Sequence, residues 1–239
     1  MYLDEKKKKD NLITFYQAFW YFLFFSILGL MIETAYCYIT TGVLESRKGL
    51  LYGPFCPVYG IGATILIITL NRYREKPILL FLYGMLVGSI IEYVLSFCLE
   101  ALYGTRFWEY SYLPFHLNGR ICLTYALFWG ILSLALIRII KPMLDRFLNK
   151  IPYKVQKVFV SFLFIFLVID AILTIWGVSI YKQRAMNSYY HKEEEQSTTS
   201  FFTTIENQLF SNEKMKKTFP NLRFFDTNGK EIWIRDILL

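Results

Sequence analysis

The sequence has few of the residues and none of the motifs on which the common enzyme classes depend. Only two of its 239 residues are histidine, His116 and His191, so histidine-based catalysis has little material. It contains no G-x-x-x-x-G-K-[ST], H-E-x-x-H or G-x-S-x-G motif, which excludes a phosphate-loop ATPase and standard zinc or serine hydrolases. No catalytic residue is therefore predicted, and if ATP drives this protein, a separate ATPase subunit hydrolyses it.

Cysteine is also scarce, and its spacing does not favour a metal or redox site. The four cysteines are Cys37, Cys56, Cys98 and Cys122, and no two of them form a C-x-x-C pair. With His116 nearby, a metal site or two disulfides stay open as alternatives. Small packing cysteines are common in apolar spans, so we favour packing, with no metal and no cofactor.

Apolar residues dominate what is present. The chain is 55% hydrophobic and 19% aromatic, which is too apolar for a soluble domain of this size. Its net charge is +7, but the Lys and Arg residues fall in the gaps between apolar runs, as anionic headgroups favour. The sequence predicts an all-α integral membrane protein surrounded by the lipid bilayer, and it does not favour binding to nucleic acid.

Residues 15–181 are predicted to form a bundle of about five transmembrane helices, because a hydrocarbon core of about 30 Å requires about 20 helical residues. The first apolar run contains Glu33 and is too long for a cleaved signal peptide, so it is predicted to remain as a helix. The predicted spans are Phe15–Ile39, a short second span at Val58–Leu70, Ile78–Leu102, Ile121–Ile140 and Val158–Tyr181.

The second span is too short to cross alone, and Gly53, Pro54 and Pro57 interrupt its entrance. In one interpretation, residues 50–56 supply the missing depth as irregular backbone, which requires cover by protein or a water-filled cavity. In the other, a proline begins a tilted helix after an ordinary loop. The sequence leaves both open.

An aromatic segment, TRFWEYSYLPFHLNGR at residues 105–120, follows the third span. Its Trp, Tyr and Phe residues are typical of a segment at the headgroup level. It is predicted to be re-entrant or interfacial and to fold back over the bundle, with a simple aromatic anchor as the alternative. The segment Lys141–Lys157 is predicted to be a basic loop.

Charge bias predicts the orientation. Residues 1–14 form a basic leader with four consecutive lysines, and the positive-inside rule places it in the cytoplasm. Five crossings then place the tail, residues 182–239, outside. The tail is predicted to contain a charged linker through Ser200, a short helix with Phe201, Ile205 and Leu209 on one face, and a hairpin turning at Asn228 and Gly229. It is expected to dock on the bundle or on a partner, or to remain a poorly ordered appendage.

The third span carries a polar stripe. Gly84, Gly88, Glu92, Ser96 and Glu100 recur every fourth residue, so they lie on one helix face. Glycines admit a neighbouring backbone, and ionised carboxylates in hydrocarbon cost several kcal/mol. The stripe is therefore expected to face the interior of the bundle.

With the predicted topology, five acids share the outer half of the membrane with two arginines and one histidine. The acids are Glu33, Glu92, Glu100, Glu109 and Asp170, and the others are Arg106, Arg120 and His116. An outward-facing polar cavity would bind a charged solute or relay protons; ion pairs that only lock the helices are the alternative. The predicted substrate-binding residues are Glu33, Cys56, Tyr59, Glu92, Glu100, Arg106, Glu109, Asn118 and Arg120.

Four blocks then occur in an order typical of a known family. They are GLMIE at 29–33, RKGLLYGPFCPVYGIG at 47–62, EYVLSFCLEALYGTRFWEYS at 92–111 and FHLNGRICL at 115–123. Over residues 15–152 the chain resembles the "putative type IV ABC transporter" membrane proteins, with Leu30 in place of an aromatic residue and Glu109 in place of Asp. The resemblance implies a multi-pass protein of the bacterial inner membrane.

Two functions follow as expectations. The first is a permease-like membrane protein with an outward-facing polar cavity, partnered with a separate ATPase. The alternative is a membrane-embedded enzyme or assembly factor that acts on lipid or envelope precursors at the outer leaflet. A homo-oligomer is also open, and the sequence does not identify a substrate.

Overall fold

The structure, a computed structural model, describes residues 13–103, 106, 108–190, 201–227 and 229–238. The four lysines of the predicted leader, most of the predicted linker and Asn228 of the predicted turn lie outside these residues. Within them the chain is mainly helical, as expected for an all-α membrane protein.

Four helical segments are long and apolar enough to cross a membrane, where the sequence predicted about five. The short second span predicted at Val58–Leu70 is present as a helix of 14 residues, which a rise of about 1.5 Å per residue makes about 21 Å long. The helices in order are α1 Phe15–Thr41, α2 Pro57–Leu70, α3 Pro77–Tyr103, α4 Leu123–Ala135, α5 Lys141–Leu148 and α6 Tyr153–Tyr189.

Helices α4 and α5 form one continuous apolar run because a π-helix, Leu136–Ile140, connects them. Pro142 has no backbone N–H and cannot bond to the carbonyl four residues earlier. The preceding residue, Lys141, instead donates its backbone N–H to Leu136 O. The run therefore continues to Leu148, into the segment predicted to be a basic loop, because Leu144 and Leu148 lie on one helix face and are both buried.

Helix α6 has 37 residues, about 55 Å at the standard rise, which is longer than a hydrocarbon core of about 30 Å. It continues past Tyr181 to Tyr189, into the segment predicted to be a charged linker. Lys, Gln, Arg, Ala and Met, which follow Tyr181, all have good helix propensity. In addition, Ala185 is fully buried, so packing as well as propensity extends the helix.

Contacts between residues divide the chain into two units. The first consists of the described parts of Met1–Gly29, Pro57–Leu95 and Glu109–Phe166. The second consists of Leu30–Cys56 and the described parts of Ser96–Trp108 and Leu167–Leu239. Each has its own apolar core.

The first unit has a core to which α1, α2, α3, the π-helix and α5 contribute buried residues. Tyr21 of α1, Leu66 of α2, Leu80 of α3 and Ile137 of the π-helix are nearly or completely buried there. Close packing at this core depends on small residues, since a Cβ at Gly84 would lie 2.6 Å from Ser133 Cβ. The predicted glycine face of α3 therefore lies against α4.

The second unit contains the folded part of the tail. Its elements are two helices, α7 Phe201–Leu209 and α8 Asn212–Thr218, a hairpin of β3 Arg223–Phe225 and β4 Glu231–Trp233, and the short α9 Ile234–Ile237. The predicted hairpin is present, with Phe224 opposite Ile232. Phe210 and Phe224 are buried against Tyr181 and Leu51, so the tail docks on its own chain and is not a loose appendage.

Candidate functional site

The first unit contains a buried carboxylate. Glu92 belongs to the predicted stripe of α3 and is only 8% exposed. Tyr110 Oη donates a hydrogen bond of 2.9 Å to Glu92 Oε1, and Trp129 Nε1 donates one of 2.8 Å to Glu92 Oε2. Each carboxylate oxygen thus accepts one hydrogen bond from an aromatic side chain.

Both donors to Glu92 are neutral. Among the residues that the structure describes, no Lys, Arg or His forms an ion pair with this carboxylate. The contrast with other acids is clear, since Asp145 pairs with Lys141 at 2.7 Å and Glu100 pairs with Arg106 at 3.2 Å. Glu92 is therefore a buried acid without a charge partner in the described chain.

The two donors come from separate elements. Trp129 lies six residues after the start of α4, about 9 Å along the helix, and its side chain packs on Gly88 of α3. Tyr110 lies in the aromatic segment between α3 and α4. A Cβ at Gly88 would be 2.6 Å from Trp129 Cβ, so the absence of a side chain at Gly88 lets the indole reach Glu92.

The backbone of the aromatic segment holds Tyr110 in place. A short hairpin pairs β1 His116–Leu117 with β2 Ile121–Cys122, and Asn118 and Gly119 form its turn with φ of 51° and 68°. The Tyr110 N–H donates to Gly119 O at 2.7 Å. Residues 108–122 thus form a folded structure that is attached to α3 through the hydrogen bond between Tyr110 and Glu92.

Three predicted site residues lie on the part of this segment that belongs to the first unit. Glu109 Oε1 accepts hydrogen bonds from the Ser111 backbone N–H at 3.1 Å and from its hydroxyl at 2.5 Å. Asn118 Nδ2 donates to Tyr93 Oη at 3.0 Å, while the guanidinium of Arg120 lies 5.8 Å from the centre of the same ring. Asn118 and Arg120 therefore meet at Tyr93, the residue next to Glu92.

Burial controls the protonation of Tyr110. Desolvation raises the pKa of its hydroxyl well above the usual value, and the Glu92 carboxyl raises this pKa further. The phenol therefore stays protonated at physiological pH and remains a hydrogen-bond donor to Glu92. Its ring stacks on Tyr125 with centroids 4.5 Å apart, which fixes its orientation.

The second unit also contains a buried acid, Asp170, which was predicted among the acids of the cavity. Its Oδ1 accepts a hydrogen bond of 3.0 Å from the backbone N–H of Tyr52. Thr174 Oγ1 accepts one of 2.9 Å from the backbone N–H of Leu51. These two α6 side chains thus accept hydrogen bonds from the irregular segment before α2. Because α2 also begins at Pro57, both interpretations of this segment stay open.

The remaining predicted residues separate into the two units. Glu100 and Arg106 form their ion pair in the second unit, which also contains the half-buried Glu33 and the buried Cys56. Tyr59 lies in the first unit, where its ring occupies the space beside Gly29. The single cavity that the sequence predicts for all these residues remains a prediction.

No metal site is found in the described ranges. They contain no group of three or more His, Cys, Asp or Glu side chains placed as ligands of one ion. Cys37, Cys56, Cys98 and Cys122 are free thiols, two of them buried. Burial of Cys56 and Cys122 agrees with the packing role favoured from the sequence.

Comparison with known proteins identifies the family. No curated protein and no solved structure gave a match to the chain. The family described as "Putative ABC-transporter type IV" matches residues 20–175, which is more than half of the chain and reaches from α1 into α6. The predicted resemblance is confirmed, and the chain belongs to this family of membrane transport proteins.

Proposed function

We propose that the protein is the permease-like membrane subunit of a transporter, and that Glu92 receives a positively charged group of the transported solute. Membership of the transporter family and four apolar helices support a role in membrane transport. The burial of Glu92 and its neutral hydrogen-bond partners support a positive charge on the solute.

The charge of an ionised Glu92 is not balanced within the described chain. Burying an ionised carboxylate in a span costs several kcal/mol, and a neutral hydrogen bond returns only about 1 kcal/mol net. Two such bonds, from Tyr110 and Trp129, do not offset the cost. A cationic group supplied by the solute would offset this cost. The aromatic faces beside the carboxylate are suitable neighbours for an organic cation.

The remaining features of this proposal concern energy and orientation. Because the sequence has no phosphate-loop motif, ATP would be hydrolysed by a separate subunit. The positive-inside rule would place the amino terminus of a bacterial inner-membrane protein in the cytoplasm. The tail would then lie outside if the short α2 crosses together with the four longer spans. Glu92 would then be reached from the outer side, through the region of Tyr110, Asn118 and Arg120.

The test removes the negative charge of Glu92 and keeps the shape of the side chain. In Glu92→Gln the amide oxygen still accepts from Trp129, and the Tyr110 hydroxyl can rotate to accept from the amide NH2. We expect gently extracted wild-type protein to retain a small amine-containing solute in native mass spectrometry. Glu92→Gln should lose it, and Glu92→Asp should keep part of it.

Glu75→Gln is the matched control, because it removes the same charge from a side chain that is 89% exposed. It should retain the solute as the wild type does. The proposal is wrong if the solute is an anion, if Glu92→Gln retains it while folding normally, or if the bound molecule is a lipid precursor that the protein converts to product.

A further inference from the structure

The core of the first unit brings several helix ends to one place. Leu70, the last residue of α2, Leu80 near the start of α3, and Leu144 and Leu148 of α5 all belong to this core. The charged residues beside these ends therefore share one end of the unit. We call the charged residues of 71–77 and 138–157 the basic end.

The basic end carries a large excess of positive charge. Its two acids are Glu75 and Asp145, against nine Lys or Arg residues, so it alone equals the net charge of +7 of the whole chain. The nine are Arg72, Arg74, Lys76, Arg138, Lys141, Arg146, Lys150, Lys154 and Lys157.

Little of this charge is neutralised within the unit. Asp145 is engaged by Lys141 at 2.7 Å and by the hydroxyl of Tyr21. Glu75 lies 3.9 Å from Arg74, and an exposed pair at that distance is weak. In the part of the chain that the structure describes, the other basic side chains of this end have no acidic partner, and all of them are exposed.

Large apolar side chains lie between these cations. Met143 and Phe147, four residues apart on one face of α5, are 62% and 59% exposed. On the neighbouring face, Leu144 and Leu148 are buried. Arg146 and Lys150 are exposed beside them. A short helix with a buried face, an exposed apolar face and cations is typical of the boundary between headgroups and acyl chains.

We propose that the basic end is a binding surface for anionic phospholipid headgroups, with Met143 and Phe147 of α5 inserted at the acyl boundary. Met143 and Phe147 lie near the end of the apolar run Leu123–Leu148, so the neighbouring cations lie at the level of the headgroups, and this favours lipid over a nucleic acid or an acidic protein. This inference does not depend on the solute or on the transport proposal.

The experiment uses the full chain in bilayer discs that contain equal amounts of phosphatidylglycerol and phosphatidylcholine. After gentle extraction, the lipids that remain bound are counted by native mass spectrometry. We expect phosphatidylglycerol to be enriched, and raising the salt concentration to reduce the enrichment, because exposed charges are screened.

Three exposed cations are then neutralised together, Arg146→Gln, Lys150→Gln and Lys154→Gln. Since each cation near an anionic surface strengthens binding about fivefold, we expect phosphatidylglycerol retention to fall at least about tenfold. The matched control neutralises three cations of the tail, Lys216→Gln, Lys217→Gln and Lys230→Gln, and should leave retention unchanged. Exchange of Lys150 and Lys154 for Arg keeps the charge and should preserve retention even if the triple variant is less stable.

Retention of both lipids in the bulk proportion would overturn the inference. Equal loss in the tail control would also overturn it, because the effect would then reflect net charge alone. Co-purification of an acidic protein or a nucleic acid that is displaced by salt, without lipid enrichment, would assign the basic end to that partner instead.

Discussion

The Asp170 side chain accepts a hydrogen bond of 3.0 Å from the backbone N–H of Tyr52. Asp170 lies in the long helix α6, and Tyr52 lies 118 residues earlier in the irregular segment before α2. Asp170 is almost completely buried. A buried N–H requires an acceptor, and residues 50–56 have no helix or strand to provide one. The acid in the middle of this span therefore stabilises the backbone that precedes α2.

Substitution of Asp170 tests that role. Asp170→Leu leaves the Tyr52 N–H without its acceptor and should lower the free energy of unfolding by about 1–3 kcal/mol. Asp170→Asn keeps an acceptor oxygen and should lie within about 1 kcal/mol of the wild type. A thiol-reactive dye in detergent reports unfolding, because Cys56 and Cys122 are buried. Equal stability of the wild type and Asp170→Leu would contradict the assigned role.

Two glycines near Trp129 give opposite predictions. A Cβ at Gly88 would lie 2.6 Å from Trp129 Cβ, whereas one at Gly62 would lie 3.6 Å from the edge of the indole. Gly88→Ala should cost about 1–3 kcal/mol through overpacking and should move the indole away from Glu92. Gly62→Ala should be neutral or slightly stabilising, because Ala is the better helix former. Thermal unfolding and tryptophan fluorescence measure both variants, and the reverse order would show the packing to be wrong.

The pKa of Tyr110 has a consequence for stability at high pH. Because burial and Glu92 raise the pKa of this hydroxyl in the folded state, its contribution to stability is fully present below about pH 10, the ordinary value for tyrosine. As pH rises above that value, the unfolded chain releases the proton first, so the contribution is lost.

We therefore expect the stability difference between wild type and Tyr110→Phe to shrink as pH rises from about 9 to 11. Tyrosinate absorbance should show the same number of ionising tyrosines in both proteins over that range while they remain folded. One fewer in Tyr110→Phe would mean that Tyr110 titrates normally and is not buried against Glu92.

Arg184 connects α6 to the folded tail. Its Nη1 donates to Phe210 O at 2.7 Å, and its Nη2 donates to Asn207 Oδ1 at 2.6 Å. Arg184→Gln should speed hydrogen exchange of α8 and the tail hairpin by about tenfold or more, since a charge-assisted hydrogen bond contributes about 1.5–3 kcal/mol. Lys217→Gln, at an exposed position of α8, should leave exchange unchanged. Similar exchange in both variants would argue against a docking role for Arg184.

Hydropathy located the long spans because lipid burial selects long apolar runs. The predicted first span, Phe15–Ile39, is observed as Phe15–Thr41, and the predicted third span, Ile78–Leu102, as Pro77–Tyr103. The same signal ended α6 too early, because charged residues that favour helix can extend a span into water. Hydropathy predicts which residues contact lipid, whereas helix propensity and packing determine the residue at which the helix ends.

The centre of the site was predictable only in part. The four-residue spacing predicted that Glu92 faces protein and that Gly88 admits a close neighbour, and both hold. The identity of that neighbour, Trp129, depends on how α3 and α4 pack. A glycine predicts a close contact but does not indicate which residue makes it. Tyr110 is one of several aromatic residues in its segment, and the sequence does not distinguish it from the others. It is placed beside Glu92 because its backbone N–H bonds to Gly119 O in the hairpin turn.

The partner of Asp170 could not have been found by matching side chains. The ion-pair alternative considered only Arg106 and Arg120 as partners of the buried acids, whereas Tyr52 contributes a backbone N–H, a group that every residue but proline carries. The available signal was indirect: Gly53 and Pro54 predicted irregular backbone at depth, and such backbone must find acceptors somewhere. Counting the N–H groups of a broken segment would have pointed to a polar side chain on another span.

The hydrogen bond from the Leu51 N–H to Thr174 also constrains how the protein is made. These residues are 123 positions apart, so the ribosome adds all the intervening residues before Thr174 exists. Until then the segment before α2 lacks its native acceptors, and the translocation machinery or water must shield it. The second unit can therefore acquire its final form only after α6 has been synthesised.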